Sequence, residues 1–175
     1  MKNQEVLLKN ILSSGPLLDV SIYQVNNRFF ELEEEGIWII DTGIQLNFLD
    51  GIVTAAWRSS EEAFIITNDA INNVYTNNNS HKIRAEHTES LNRFIGHEIE
   101  DVQFKIVEVD VVHDHAKPAV KEERLVEMTM FFDNNTHMQI AFVDYVLEDD
   151  KPPQDFTFDF CNALLIATKS IIEIK

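Results

Sequence analysis

Thirty Asp and Glu residues against fourteen Lys and Arg give this 175-residue chain a formal charge of −16. A field of that sign repels phosphate backbones and excludes direct nucleic-acid binding through basic patches. Its 45 % hydrophobic content suffices for one buried core, so a single domain over residues 1–175 is expected. The lone Cys161 excludes an internal disulfide, and no apolar run approaches the roughly 20 residues that span a bilayer. The opening MKNQEVLLKN lacks the apolar segment of a secretory signal, so a soluble, cytoplasmic protein without membrane contact is expected.

In chain order, Val6, Leu7, Leu8, Ile11 and Leu12 recur at helical spacing before Gly15-Pro16 and predict a short amphipathic helix over Asn3 to Ser13. From Leu18 the period changes to two. Leu18 to Ile22, Phe29 to Leu32, Ile37 to Ile40, Ile44 to Leu49, Ile52 to Trp57 and Phe64 to Thr67 read as strands. Asn26-Asn27, Glu33 to Gly36 and Asp50-Gly51 turn the chain between them, so the first half is expected to be a meander. Asn68 to Ser80 holds six Asn and reads as a surface loop, pinned by Ile71, Val74 and Tyr75. Thr88 to Ile95, with Thr88 as cap and Gly96 as stop, predicts a second helix.

Glu98 to about Val112 alternates as a long strand, and the polar His113 to Glu123, containing Pro118, reads as a loop. The stretch from Arg124 to Glu148 organises the rest. Val126, Met128, Met130 and Phe132 oppose Met138, Ile140, Phe142 and Val146 across Asp133-Asn134-Asn135-Thr136, whose Asx chemistry favours a reversal; this predicts a core hairpin. Phe156, Phe158 and Phe160 alternate, Cys161 to Thr168 fits a buried strand or a buried helix, and Ile171 to Ile174 is strand-like. The expected fold class is α+β: a mostly antiparallel sheet, twisted or split in two, with an N-terminal helix and one further short helix.

Three constellations bear on chemistry. Asp41-Thr42-Gly43 after an apolar run resembles the aspartic-protease loop, where two aspartates share a proton and activate water, and Phe94-Ile95-Gly96 resembles the segment supporting that loop in the retroviral type. Ile44 departs from the small residue usual there, and one Asp-Thr-Gly implies a homodimeric enzyme using Asp41 from each copy. The same tripeptide also reads as an ordinary turn after a strand. His113-Asp114-His115, completed by Asp110 or Glu122, has the donors of a metal site and resembles the start of the cupin motif. Ala119 and Val120 stand where that motif needs its Glu, so no metal and no cofactor are expected.

The third constellation is the acid itself. Residues 98–175 carry 17 acids against 7 bases, and the first 97 carry 13 against 7. Like charges crowded on a sheet cost stability, so a basic protein partner that neutralises them is expected. The candidate contact residues are Glu108, Asp110, Asp114, Glu122 and Glu123, within or beside the loop from His113 to Glu123. Size, acidity and the lack of a strong catalytic motif together resemble the immunity proteins that neutralise bacterial polymorphic toxins, including those of contact-dependent growth inhibition. The resemblance implies a non-enzymatic inhibitor of one cognate toxin, often a basic nuclease, that works by covering the active site. A binding module that accepts a partner strand at a sheet edge is the rival, and it needs no charge.

Overall fold

The computed structural model describes residues 2–24, 30–32, 34–75, 81–84, 88–111, 120–148 and 152–175. Helix α1, Lys2–Leu12, turns Leu8, Ile11 and Leu12 into the core and leaves Val6 and Leu7 in solvent. Two antiparallel sheets follow. The first comprises β1 (Asp19–Gln24), β4 (Gly43–Phe48), β5 (Gly51–Arg58), β6 (Ala63–Thr67) and β7 (His81–Arg84), in the order β6-β5-β4-β1-β7. The second takes β2 (Phe30–Leu32), β3 (Ile37–Ile40), β12 (Ala163–Ala167), β10 (His137–Val146), β9 (Val120–Phe132) and β8 (Ile99–Val111) in that order, with β11 (Gln154–Phe158) also paired to β10. The short helices α2, Ile71–Val74, and α3, Glu89–Asn92, complete an α+β fold whose sheet is split in two.

Alternation decides what each sheet buries. Val20, Ile22, Ile44, Leu46, Val53 and Phe64 of the first sheet share one cluster with Trp38, Ile40, Met128, Met130, Phe132, Ile140 and Phe142 of the second. Phe64 stacks on Phe142 across this interface, ring centroids 5.6 Å apart, and α1 adds Leu8, Ile11 and Leu12. The second sheet is covered on its other face too. There Ile37, Ile39, Ala141, Val143 and Leu165 pack with Phe156 of β11 and Ile174 of the tail. Residues 138–143 and 163–167 are therefore buried at every position, which explains why Cys161 to Thr168 gives no helix-or-strand period: a strand buried on both faces has none.

The first half is not a simple meander. Ile37–Ile40 is buried at all four positions, so it leaves the first sheet and lies between β2 and β12, and Asp41-Thr42 carries the chain back into β4. At that return Gly43 lies against Ala56 so closely that a Cβ there would stand 2.6 Å from the Ala56 Cβ. The run expected as loop over Asn68 to Ser80 contains α2, because Ile71 and Val74 bury against Ala56 on the outer face of the first sheet, while residues 76–80 lie outside the described residues. Asn26 and Asn27 also lie outside them. The second helix is shorter than Thr88 to Ile95: α3 ends at Asn92, and Gly96 turns the chain at φ +85°. Ile171 to Ile174 forms no strand, since its backbone is held by a side chain, Gln139, instead of a ladder.

The central hairpin closes as its turn chemistry predicts. Asn135 takes φ +59°, the Asn134 side chain accepts the Thr136 amide at 3.1 Å, and its own amide donates to the Arg93 carbonyl at 3.1 Å. Met138 then pairs with Met130 and Ile140 with Met128. Beyond that the step of two breaks on both strands. β9 bulges at Val126, which puts Leu125 on the core face with Met128, and a register shift between Asp144 and Val146 leaves Val146 exposed. Among the described residues no helix is long and apolar enough to cross a membrane.

Candidate partner-binding site

β8 and β9 are each 13 residues long, more than twice the length of β12. From Ile99↔Phe132 to Lys105↔Glu127 they belong to the sheet, with Val102, Phe104 and Ile106 packed on the core. β10 accompanies β9 only as far as Ala141↔Glu127. Past the Val126 bulge, the pairs from Ile106↔Leu125 to Val111↔Val120 form a ribbon in which, among the described residues, β9 has no ladder partner but β8. An isolated two-stranded ribbon is marginal in water, so this one needs tethering.

Arginines supply the tether. Arg124 of the ribbon donates to Glu61 at 3.0 Å and to Glu122 at 2.8 Å, and Arg58 of β5 donates to the same Glu61 at 2.8 Å and to Asp69 at 3.3 Å. Burial alone pushes the Glu61 carboxyl up, but hydrogen bonds and charge from Arg58 and Arg124 together outweigh it and hold the group below the usual carboxylate range. Between ribbon and β6 lies a cleft of about 300 Å³ lined by Arg58, Glu61, Phe64, Glu122, Arg124 and Phe160 among others. Both guanidinium groups there already hold carboxylates, so this cleft is a clasp between the sheets, not a receptor for anions.

The ribbon tip has a different character. Ile106 and Leu125 face the core, and alternation continues that face outward through Glu108 and Asp110 on β8 and Glu123 and Lys121 on β9. Glu123 stands directly opposite Glu108. Lys121 is opposite Asp110, yet its ammonium reaches diagonally to Glu108. That leaves Asp110 and Glu123 exposed with no cation paired to either among the described residues. One base against three acids is the reverse of what cross-strand pairing favours.

Of the residues expected to meet a partner, Glu108, Asp110 and Glu123 come together on this face, whereas Glu122 projects to the other side and holds Arg124. Asp114 lies outside the described residues. Glu122 and Glu123 are strand residues, not part of a loop, because β9 begins at Val120 and Arg124 fixes their register. The Glu61–Arg124 clasp has no signal in the sequence, its two members being 63 positions apart.

Asp41 sits at the corner between β3 and β4, accepting the Thr42 hydroxyl at 3.0 Å. Phe94, from the segment that resembles the protease support, packs instead on Phe132, ring centroids 4.9 Å apart. Through β12, Asp41 is level with Val143, while Phe132 is level with the opposite end of β10. Seven strand residues separate those levels, roughly 24 Å at the usual rise, so one chain does not bring the two segments together. His113, Asp114 and His115 lie outside the described residues, and among those described no three His, Cys, Asp or Glu side chains group to hold a metal ion. His97 is 2.8 Å from Asp133 beside the hairpin turn, and the Cys161 thiol, pushed up by burial and then by Asp159 and Glu62, is poorly suited to act as a nucleophile. Compared with protein-family models, with curated proteins and with solved structures, the chain gives no match.

Proposed function

We propose that this protein is an immunity-type inhibitor: it binds one cognate basic toxin, a nuclease, and neutralises it by laying the acidic ribbon tip over the toxin's active site. The observation that supports the reading is the opposition of Glu108 and Glu123 beside Asp110, with Lys121 as the one base on that face among the described residues. Natural sheets favour opposite charges at facing positions, so an arrangement costly to the free protein has a reason if a partner neutralises it. A nuclease active site built for phosphate offers the complementary charge. The ribbon is tethered at its base by Arg124, and its acids lie further along it than Ile106 and Leu125, the last ribbon residues packed in the shared core, which lets the tip enter a cleft without disturbing the fold.

A second reading rests on β8 itself. It is the edge of its sheet, and none of its outward backbone groups has a hydrogen-bond partner among the described residues, so a partner strand could extend the sheet there. The two readings separate in one experiment. The reading requires that a toxin domain be encoded beside this chain's gene; such a domain is expressed in a susceptible host with this protein, and the association rate of the purified pair is followed as salt rises. Rescue of growth, with an on-rate that falls steeply once the screening length drops to about 8 Å near physiological salt, supports occlusion by charge. Rescue with a salt-independent on-rate favours strand addition, and no rescue refutes the inhibitor reading.

A further inference from the structure

β8 ends its sheet, and it is a long edge: 13 residues, with no backbone bond on the outward side among the described residues. An open edge is a template for another strand, and natural edges are blunted with charges and bulges. β8 carries both. Its ladder with β9 shifts register at Glu100 and again after Lys105, which leaves residues 101–105 as the regular run in the body of the sheet. Within that run Asp101, Gln103 and Lys105 are exposed on the outer face, while Val102 and Phe104 are partly buried against the core. Asp101 faces Phe131 across the ladder, and no cation is paired to it among the described residues. Lys105 is held on the same face by Phe158, its ammonium 4.1 Å from the ring centroid.

The charges that would repel a foreign strand make this run complementary to itself. Two copies paired antiparallel about a twofold axis normal to the sheet keep every residue on its own face. Centred on Gln103, such a pair sets Asp101 of each copy opposite Lys105 of the other and Val102 opposite Phe104, so opposite charges meet on the outer face and apolar side chains on the core face. Neighbouring registers lose this. Centring on Phe104 sets Glu100 against Glu108, centring on Lys105 sets that ammonium against itself, and centring on Val102 or Ile106 brings neither Asp101 nor Lys105 opposite the other sign. Gln103 is also the midpoint of the regular run, so charge and ladder geometry select the same centre. On the core side a groove of about 200 Å³ between α1 and β8, lined by Lys9, Leu12, Ile99 and Val102 among others, gives room for Phe104 of the other copy. We infer that β8 pairs with β8 of a second copy of this chain, centred on Gln103, joining their second sheets into one. Beyond the run Ile106 would meet the bulged Glu100, so the ladder ends there and the ribbon tip stays outside it. The inference goes beyond the inhibitor reading and does not depend on it; it assigns the β8 edge to a copy of this chain instead of a toxin strand.

The test is sedimentation of the full chain at about 0.15 M salt, where a screening length of about 8 Å mutes the repulsion between two chains of charge −16. The parent is expected to dimerise reversibly. Asp101→Lys and Lys105→Asp should each weaken self-association at least about tenfold, because like charges then face each other at both ends of the ladder. An equimolar mixture of the two variants should associate as tightly as the parent, since every facing pair is again opposite in sign. In isotope-filtered spectra of labelled and unlabelled parent, the Phe104 ring of one copy should contact the Val102 methyls of the other. Should a variant misfold, as the buried Trp38 would report, that contact decides. A parent that stays monomeric up to its solubility limit, a dimer that both variants leave unchanged, a mixture of folded variants that does not restore association, or absence of the Phe104 to Val102 contact overturns the inference, whatever the outcome of the toxin rescue.

Discussion

Two substitutions remove the same charge and should move stability in opposite directions. Glu123→Gln acts at the ribbon tip, where Glu123 faces Glu108 across the ladder with Cβ atoms about 4.5–5.5 Å apart. Carboxylates on side chains of that length can splay to about 7 Å, at which two charges repel by about 0.6 kcal/mol in water, falling to about 0.25 kcal/mol once screened at physiological salt. Removing one should therefore stabilise the fold by about 0.2–0.6 kcal/mol, most at low salt. Glu61→Gln acts at the clasp, where one carboxylate holds both Arg58 and Arg124 with side chains about a quarter to a third exposed. Two charge-assisted bonds, discounted for that exposure, put its loss at about 1 kcal/mol. Urea unfolding of the two variants and the parent, at low and physiological salt, resolves the resulting gap of about 1.5 kcal/mol, and thermal unfolding should separate them by about 3–6 °C. Should Glu123→Gln destabilise as much as Glu61→Gln, the tip acids serve the fold and the argument for a partner there is lost.

The clasp also predicts a pH dependence. The Glu61 carboxyl is held below its ordinary value, so its contribution is fully present above the unfolded pKa of about 4.3 and is lost as pH falls through the lower folded value. The stability difference between parent and Glu61→Gln should thus shrink on acidification below about pH 4, and a difference that grows there would contradict the assignment. In the second sheet, the fully buried Gln139 donates to the Ile172 carbonyl at 3.0 Å, accepts the Ile172 amide at 2.8 Å and donates to Glu127 at 2.9 Å. Gln139→Met strands both Ile172 groups and should cost about 2–4 kcal/mol, with hydrogen exchange at Ile172 and Lys175 accelerated over that of β10. Unchanged exchange at those amides would show that the tail is held by Phe156 and Ile174 packing and by the Lys175 backbone bonds to Phe156 and Phe158, without Gln139.

The fold is legible where local chemistry and burial agree. Asn134 and Asn135 both want the conformations the central reversal requires, and Met128, Met130, Met138 and Ile140 meet in the register the alternation implies. It is less legible where a strand is buried on both faces. Ile37–Ile40 gives no alternation, so nothing in its sequence tells that it crosses to the second sheet, and Ala163–Ala167 leaves strand and helix open for the same reason. His81–Arg84 is too short and too polar to stand out, and it becomes a strand because β1 offers it an edge. Gln139 escapes detection differently: a polar residue at a core position reads as a break in pattern, whereas here it supplies the bonds the tail lacks.

The candidate site divides along the same line. That acids gather around residues 108–123 is plain from the sequence, but which of them act together depends on one extra residue in β9. Without the Val126 bulge, the alternation set by Met128 and Met130 would put Glu122 and Arg124 on the core face and Glu123 on the other. The bulge exchanges them. Leu125 joins the core, Arg124 is freed to reach Glu61, Glu122 follows it, and Glu123 is left opposite Glu108 with no cation paired to it among the described residues. A bulge carries no composition signal of its own, since Val126 continues the apolar run as any strand residue would. One inserted residue thus separates the four candidate acids that the structure describes into two jobs, with Glu122 tying the ribbon to the body and Glu108, Asp110 and Glu123 presenting charge at its tip.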